Sequence, residues 1–491
     1  FSPQPATPHH HFRTNQHTPA HNMTEVEKKK KPFVRKDFAK GFSSVFSSGT
    51  VDPNVIGRYK AVTIIAPLFF AEKISVDKFR QRFKERVLSR WHRFRSIART
   101  QNYLQVAFEE IPVENVDLEY HMPVVTSNKK WTIEDLREFM SDLYSLKKDP
   151  TKPLWKWHML DCVEGHGMVL VFDADHALGD GLAMIELLCA ILDEDPLAKV
   201  EGAGTGGVVK RSRKIQPSIM TKLQAAVQGA ALAALGPILP QDPPNCLKVQ
   251  NIFKPSETRS FANAEKIALS RVKDIKNKME GTTVNDVMVA VLNMALRKYF
   301  EEKGDPAATN GQTVRGNFPI NLRKPGERDT GNAIATSMLT FKIGYKTRQE
   351  VVWHMKEQVD MIKLSPQPIV EMYLLRILAR ILPKPQLLDL AVFLFGKFSL
   401  MFSNVPAPQE KATVLGVEMT DIYYYLFVPI GVYCGMMTYN GKLSLTVCSD
   451  PAAEEDPGKL VKHWNTEFEA LYKEVMEGPT LTQPKKKAGR G

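Results

Sequence analysis

A histidine and an aspartate that could do acid–base chemistry stand close together in the pattern His-x-x-x-Asp-Gly. His176 and Asp180 belong to this pattern, which directly follows the apolar run 168–172. The run is short and rich in β-branched residues, so it predicts a strand buried on both faces. Apolar residues recur at helical spacing after Asp180, which predicts that its carboxylate caps a helix. His176 is therefore expected on a tight strand-to-helix loop that can hold an imidazole rigidly.

Two interpretations of His176 follow from these residues alone. An imidazole titrates at about pH 6.5 and can take a proton at neutral pH, so His176 could serve as a general base. Alternatively, the motif is a helix cap beside a core histidine, because so short a pattern also arises by chance. Features elsewhere in the chain have to decide between them.

The composition limits the kinds of protein that this chain can be. The chain has 491 residues, of which 43% are hydrophobic and 24% charged, as expected for a globular protein with more than one folding unit. Its net charge of +12 favours an anionic partner: an acidic membrane surface, a phosphorylated substrate or nucleic acid. Nucleic acid is the weakest of these, because the basic residues cluster in tails and linker without a recognisable nucleic-acid module.

Cysteine usage and hydropathy exclude further classes. The five cysteines are scattered and odd in number, which argues against a disulfide framework and for a reducing compartment. No Cys-x-x-Cys or Cys/His spacing typical of zinc is present, so no metal site is predicted. No stretch of about 20 residues is apolar enough to span a bilayer.

Strand and helix patterns alternate along the chain, which predicts an α/β (α+β) fold. Residues 1–22 precede Met23 and lack the apolar core of a secretory signal, so they either lie before the natural start or belong to a targeting leader. The predicted segments are a disordered basic N-terminal segment (1–50), an N-terminal lobe with the histidine motif (51–200), an interlobe linker with an apolar helix (201–258), a C-terminal lobe (259–478) and a basic tail (479–491).

Two apolar stretches outside the motif leave alternatives open. Residues 223–239 are rich in alanine and predict a helix that either packs on the protein or lies in a membrane interface. Residues 366–400 form the most apolar region, with Arg376 and Arg380 one turn apart on an otherwise apolar helix. Core packing, a membrane-facing surface and an acyl-binding surface are all compatible with this pattern.

The motif resembles the active-site motif of the CoA-dependent acyltransferase superfamily, which includes chloramphenicol acetyltransferase-like enzymes and peptide-synthetase condensation domains. Further segments resemble one branch, the bifunctional wax ester synthase/diacylglycerol acyltransferase family. In that family's order they are Pro153-Leu-Trp155, Thr283-Val-Asn-Asp-Val287, Phe318-Pro-Ile-Asn-Leu-Arg323, Gly331-Asn332 and Ser403-Asn-Val-Pro406. The resemblance covers residues 50–475, and the shared order makes coincidence an unconvincing explanation.

The resemblance implies two chloramphenicol-acetyltransferase-like lobes with a tunnel between them. Acyl-CoA, the co-substrate, would enter from one side and the alcohol from the other. His176 would be the general base, and the chemistry would need no other cofactor and no metal. Candidate donors to the tetrahedral oxyanion are Ser403, Asn404 and Asn285. The remaining motif residues are assigned support: Asp180 as a brace, a cap or a partner of Arg323, together with Asp175, Gly181 and Asp286.

Some of these assignments have competing interpretations or depart from the family pattern. Asn285 or Asp286 could simply cap the amphipathic helix predicted at 287–300. The family usually has two adjacent histidines, whereas Asp175 occupies the first position here. If the strand continues through it, Asp175 points away from His176, and its charge is expected to raise the pKa of His176.

The predicted function is an acyl-CoA-dependent O-acyltransferase that esterifies a long-chain alcohol or diacylglycerol, giving wax ester or triacylglycerol. One alternative is a short-chain or specialised alcohol or amine acyltransferase of the same fold. Another is a non-catalytic lipid-binding protein on that fold, suggested by Asp175. Peripheral contact with an anionic membrane or a lipid droplet is expected, at the cytosolic face of the endoplasmic reticulum or on droplets, or in a plastid if the leader is genuine.

Overall fold

The structure is a computed structural model that describes residues 36–39, 42–51, 60–102, 105–194, 219–235, 238–309, 311–323 and 331–482. Most of the predicted disordered N-terminal segment, the basic linker stretch 210–214 and the tail from residue 483 lie outside the described residues.

Strands supply two large sheets and one small one. They are β1 (Lys36–Phe38), β2 (Thr63–Phe70), β3 (Ser96–Asn102), β4 (Gln105–Glu110), β5 (Val124–Val125), β6 (Trp155–Leu160), β7 (Met168–Asp175), β8 (Ser260–Asn263), β9 (Ile267–Ala268), β10 (Thr313–Asn321), β11 (Ile334–Lys342), β12 (Leu400–Pro406), β13 (Ala412–Val414), β14 (Val417–Ile422), β15 (Tyr425–Phe427), β16 (Val432–Tyr439) and β17 (Lys442–Ser449).

Helices pack around these sheets. They are α1 (Phe42–Val51), α2 (Val76–Phe83), α3 (Leu118–His121), α4 (Ile133–Ser145), α5 (Gly181–Ile191), α6 (Ile219–Leu235), α7 (Leu269–Lys278), α8 (Val284–Lys303), α9 (Pro306–Thr309), α10 (Arg348–Leu364), α11 (Gln367–Ile381), α12 (Lys384–Phe395) and α13 (Gly458–Glu477).

The N-terminal lobe is built on a sheet with strand order β13-β14-β2-β7-β6-β5. β7 lies in its middle, antiparallel to β2 and β6. Every residue of β7 is buried, which confirms the strand predicted from the apolar run. Because β7 ends at Asp175, His176 emerges where this central strand leaves the sheet.

The C-terminal lobe carries a second sheet with strand order β11-β10-β12-β16-β17-β8. β12 lies inside this sheet, parallel to both β10 and β16. The hairpin of β16 and β17 turns at Asn440 and Gly441, whose φ values of 48° and 66° suit a tight two-residue turn. Together the two sheets and their helices confirm the predicted α/β fold of two lobes.

A segment predicted to belong to the C-terminal lobe joins the sheet of the N-terminal lobe. Residues 412–427 form β13, β14 and β15, and β14 and β15 pair with β2 of the N-terminal sheet. The boundary drawn at residue 259 therefore does not separate the sheets. No local pattern signals this crossing, because strand pairing is set by distant partners rather than by neighbours in sequence.

Ordered structure begins earlier than residue 51, so the N-terminal segment predicted to be disordered as far as residue 50 is too long. β1 pairs with β4, and α1 packs against α12 and β3. Phe42, Val45 and Phe46 have the spacing of one apolar helix face, and Val45 and Phe46 are buried. This short signal is overshadowed by the lysines that precede it in the sequence.

Both apolar stretches form helices. The first gives α6, which ends before Gly236, and the second gives α11 and α12, separated at Pro383. α6 contacts α10 and α11 on the C-terminal lobe. Within the described ranges, no helix combines the length and the apolar character needed to cross a membrane.

Candidate active site

His176 is held by its backbone from both lobes. Its N–H donates to the carbonyl oxygen of Val62, 2.9 Å away, just before β2. Its carbonyl oxygen accepts from the Asn332 side-chain amide at 2.8 Å, which comes from the C-terminal lobe. Only 6% of His176 is exposed. The loop is therefore fixed at the point where a reactive imidazole needs a defined position.

The imidazole of His176 lies in an apolar environment. The ring of Phe46 packs edge-on against it, with 4.6 Å between the ring centroids. The Nδ1 atom is buried and has no hydrogen-bond partner among the described residues. Burial lowers the pKa of His176 below its ordinary value of 6.5, and the nearby Asp180 carboxylate opposes this shift. The imidazole is thus neutral at pH 7, the form in which it can accept a proton.

Asp180 makes the structural contacts that the sequence suggests. Its carboxylate accepts two hydrogen bonds from Arg323 at 2.8 and 2.9 Å. It also accepts from the backbone N–H of Ala183 in α5 at 3.1 Å and from that of Ala333 at 2.9 Å. Asp180 is 2% exposed and Arg323 is 9% exposed. The carboxylate therefore caps α5 and joins the two lobes, with its oxygen lone pairs occupied by donors.

Asp175 is the last residue of β7 and is fully buried. Its carboxylate accepts from the backbone N–H of Ala177 at 2.8 Å, so it stabilises the turn that carries His176. The pKa of His176 is lowered rather than raised overall, because burial has the largest effect at the imidazole and outweighs the opposing effect of the Asp180 carboxylate. The contribution expected from Asp175 stays a prediction.

A cavity of about 410 Å³ lies between the lobes and contains His176 in its wall; we call it the histidine cavity. Asp180, Gly181, Ser403 and Asn404 also contribute to its lining. The apolar lining includes Phe46, Val62, Ile64, Leu68, Trp157, Phe172, Leu388, Val392, Met401, Val405 and Met437. A largely apolar site of this kind suits an apolar ligand with one reactive polar group.

Gly181 permits a close approach between α5 and the C-terminal lobe. A Cβ atom at this position would meet a methyl group of Val405 at 3.0 Å. Because real side chains seldom pack so tightly, any larger residue would push the histidine loop away from β12.

Ser403 and two tyrosines bring hydroxyl groups to the wall of the histidine cavity near β12. The Ser403 Oγ lies 2.6 Å from the hydroxyl of Tyr424 and 2.7 Å from that of Tyr433. The Tyr424 hydroxyl also donates to main-chain carbonyls of Ser403 and Met436, at 3.2 and 3.3 Å. Burial raises the pKa of Tyr424 to about 12 and that of Tyr433 well above its ordinary range. Both phenols therefore stay protonated, and this cluster is a source of neutral donors.

Asn285 does not line the histidine cavity. It lines a neighbouring cavity of about 440 Å³, which we call the asparagine cavity, whose wall also includes Ser403 and Asn404. The Asn404 side-chain amide donates to the Asn285 side-chain oxygen at 3.1 Å. The structure therefore joins Asn285 to the site through Asn404 rather than placing it beside His176.

The cap of α8 involves Asp286, as expected, but not Asn285. Thr283 is the N-cap, and Asp286 completes a capping box, with the Thr283 N–H donating to its carboxylate at 2.8 Å. Asp286 is fully buried, and burial raises its pKa. Its role is therefore to begin α8, which presents Asn285 from the first turn.

Sequence reasoning missed several groups around the site. Tyr424, the middle one of three consecutive tyrosines, lies between β14 and β15, Tyr433 lies in β16, and nothing local marks either as a partner of Ser403. Asn332 was noticed only as part of a Gly-Asn pair, yet its amide also reaches Ser43 at 2.9 Å. Phe46 was hidden by the disorder prediction. In the part of the chain that the structure describes, no cluster of His, Cys, Asp and Glu could hold a metal ion.

Family models match most of the chain. The model described as wax ester synthase/diacylglycerol acyltransferase catalytic domain matches residues 59–288, and the WS/DGAT C-terminal domain matches residues 330–472. Wax ester synthase/diacylglycerol acyltransferase 11 of Arabidopsis thaliana is 25% identical over 388 residues, covering 70% of this chain and 77% of the relative. The O-acyltransferase WSD of Acinetobacter baylyi is also 25% identical, covering 74% and 82%.

Solved structures share the fold. A wax ester synthase/diacylglycerol acyltransferase from Marinobacter aquaeolei VT8 superposes with a TM-score of 0.55 at 16% identity, covering 85% of this chain and 96% of that one. The condensation domain of the Monacolin K polyketide synthase gives 0.57 at 13% identity, covering 91% and 99%. With both domain models matched in order along the chain, this protein belongs to the wax ester synthase/diacylglycerol acyltransferase family and is an acyltransferase.

Proposed function

We propose that this acyltransferase moves the acyl group of acyl-CoA to the hydroxyl of a long-chain alcohol or a diacylglycerol, with His176 as the general base. The observation that carries the proposal is a buried imidazole with a lowered pKa in the wall of the apolar histidine cavity. A neutral alcohol is a poor nucleophile, so it needs a positioned base, and such a base contributes about 10² to 10⁴ in rate.

The proposed reaction transfers the acyl group directly to the alcohol, without a covalent enzyme intermediate. The imidazole of His176 takes the hydroxyl proton while the alcohol oxygen forms a bond to the thioester carbonyl carbon. The carbonyl oxygen becomes an oxyanion, and its collapse breaks the carbon–sulfur bond. The CoA thiolate then receives the proton from the imidazolium, which restores neutral His176. The thioester supplies the driving force, and we propose acyl-CoA as a co-substrate with no further cofactor.

We assign oxyanion stabilisation to the hydroxyl of Ser403. When the hydroxyls of Tyr424 and Tyr433 both donate to its Oγ, the Ser403 proton is free to point into the cavity, and the Tyr424 hydroxyl then gives up its longer contacts with the main-chain carbonyls. Donors that are already oriented lower the barrier most, because they need no reorganisation as charge develops. Asn404, held by Asn285, is the second candidate donor at this wall.

The long-chain acceptor is supported by the lining of the histidine cavity, which is largely aliphatic and aromatic. The names of the relatives include both wax ester synthase and diacylglycerol acyltransferase, so both acceptors are proposed. We further propose a peripheral association with an anionic membrane or droplet surface, at the cytosolic face of the endoplasmic reticulum or on lipid droplets, with a plastid as the alternative. Free cysteines in the described chain agree with a reducing compartment.

The test is turnover of labelled acyl-CoA in the presence of hexadecanol and diacylglycerol together. Wax ester or triacylglycerol should form, and His176→Ala should lose about 10²-fold or more in kcat. His463→Ala is the matched control, since His463 pairs with Glu302 on the partly exposed face of α13. Full activity of His176→Ala would overturn the mechanism. Turnover of short-chain substrates alone would favour the specialised acyltransferase, and lipid binding without turnover would favour the non-catalytic alternative.

A further inference from the structure

α11 exposes an apolar face to solvent. Its side chains at the helical positions that face outward are 40% to 61% exposed, and they are Ile369, Val370, Tyr373, Leu374, Ile377 and Ile381. A helix at the surface of a water-soluble protein normally presents polar residues there. A continuous apolar stripe of this length marks a surface that another apolar phase covers.

α6 extends this stripe. Its outward side chains Ile219, Met220, Leu223 and Val227 are 57% to 86% exposed. The two helices meet where α11 begins, because a Cβ atom at Gly229 of α6 would fall 2.1 Å from the Ser365 hydroxyl. A larger residue at position 229 would force the Ser365 side chain to move and would crowd the ring of Pro366. The exposed apolar side chains of both helices form what we call the α6–α11 surface.

Charges on the two helices are cationic where they reach solvent. α6 contains Lys222 and no acidic residue, and Lys222 is exposed. α11 exposes Arg380, and the guanidinium of Arg376 lies 5.8 Å from the ring centre of Tyr373. The acidic residue of α11, Glu371, accepts a hydrogen bond from the side chain of Gln367, and burial raises its pKa. The surface thus combines apolar side chains with cations.

The opposite side of α11 lines a second apolar cavity of about 190 Å³, which we call the rear cavity. Leu374 belongs both to the exposed stripe and to the wall of this cavity. The rear cavity shares Phe42, Val45 and Phe395 with the histidine cavity. α11 therefore lies between the α6–α11 surface and the rear cavity, and the rear cavity shares part of its wall with the cavity that contains His176.

We infer that the α6–α11 surface docks on an anionic phospholipid surface, with the apolar side chains inserted among acyl chains and the cations among headgroups. Interfacial helices bind in this way when apolar area and positive charge coincide. A symmetric second copy fits less well, because a self-facing interface would bring the same cations together. The inference rests on the proposed use of water-insoluble acceptors, which the docked protein would meet at the rear cavity.

Vesicle binding of the full chain, measured without acyl-CoA, tests this inference. The probes are phosphatidylcholine vesicles with and without about 30% phosphatidylserine. Tyr373→Glu/Ile377→Glu should weaken binding about tenfold or more, since each substitution removes apolar area and adds an unfavourable charge. Leu146→Glu is the matched control, because Leu146 is 64% exposed but belongs to the end of α4, and it should bind like the unmodified protein.

A second pair separates the two contributions. Lys222→Gln/Arg380→Gln should abolish the preference for vesicles with phosphatidylserine while leaving binding to phosphatidylcholine in place. Unchanged vesicle binding by Tyr373→Glu/Ile377→Glu would overturn the inference, and so would a dimer that these substitutions dissociate without any change in vesicle binding. His176→Ala should bind vesicles normally, so failure of the proposed chemistry and failure of docking give different results.

Discussion

The two walls of the histidine cavity are built on opposite principles. On the side of the loop after β7, Asp180 forms a buried ion pair with Arg323 from the C-terminal lobe. Near β12 the cavity is lined by neutral hydroxyls, those of Ser403, Tyr424 and Tyr433. The ion pair holds the histidine loop in place, whereas the hydroxyl groups offer uncharged hydrogen-bond donors.

This difference explains how an apolar cavity can contain acid–base chemistry. A charge in a low-dielectric space acts strongly on its neighbours and is costly unless it is paired. Burial keeps the imidazole of His176 neutral despite the nearby Asp180 carboxylate, so the imidazole remains available to a proton. Neutral hydroxyls cost little before the reaction and can respond when an oxyanion forms.

If the side of the cavity that contains Asp180 mainly holds His176 in place, breaking the Asp180–Arg323 ion pair should affect stability most. Arg323→Ala leaves a buried carboxylate without its cation, and we expect the free energy of unfolding to fall by about 3 to 5 kcal/mol. Chemical denaturation measures this change. Arg271→Ala is the control, because Arg271 pairs with Glu469 at the surface and should cost less than about 1 kcal/mol. Equal losses in the two variants would contradict the comparison.

If the hydroxyl groups near β12 mainly take part in the reaction, removing the Ser403 hydroxyl should lower the rate. Ser403→Ala should lower kcat by about 10² to 10³, the usual effect of removing one oxyanion donor. Its unfolding free energy should change by only about 1 kcal/mol. Ser449→Ala is the control, since Ser449 is fully buried and donates to the carbonyl of Glu454 away from the cavity. A normal kcat for Ser403→Ala would remove Ser403 from the mechanism.

Substitution of Asp175 tests whether the aspartate at this position supports catalysis or impairs it. Asp175→His introduces the family's usual residue but removes the carboxylate that accepts from Ala177, so we expect about 1.5 to 3 kcal/mol lower stability and no gain in kcat. Asp175→Asn retains an acceptor oxygen and should lose less. A faster enzyme after Asp175→His, measured with the same acyl-CoA and acceptor, would show that the natural aspartate impairs catalysis.

The pH dependence should report the burial of His176. Because burial lowers its pKa, the imidazole is protonated only below 6.5, and the acid limb of kcat/KM should lie below that pH. Phe46→Ala admits water to the ring and should move the limb upward, toward 6.5. An acid limb above 6.5 in the unmodified protein would contradict a desolvated, neutral base. This shift is the smallest of the effects expected here.

The position of His176 is easier to predict from sequence than the hydroxyl cluster around Ser403. The strand, the loop and the Asp180 cap are neighbours in sequence, so an apolar run and a capping residue suffice to place His176. Ser403 could be located by its motif, but its partners Tyr424 and Tyr433 come from separate segments. Their meeting depends on tertiary packing, for which a single sequence offers no periodic signal.

The same reason explains the errors in the N-terminal region and at the lobe boundary. Phe42 and Phe46 belong to a helix whose stability comes from packing against α12, a partner distant in sequence. The strands at 412–427 resemble any short strands and reveal nothing about which sheet they join. Local propensity identifies elements well, but it does not identify their partners.

The pairing of residues 412–427 with β2 affects how the protein folds during synthesis. Until these residues leave the ribosome, one edge of β2 has no strand beside it, and an open edge is prone to pair with other chains. Synthesis of residues 195–411 takes about 10 to 40 s at usual rates. The nascent N-terminal lobe therefore spends that time as an aggregation-prone half-sheet, and a fragment cut at the apparent boundary would remain in that state permanently.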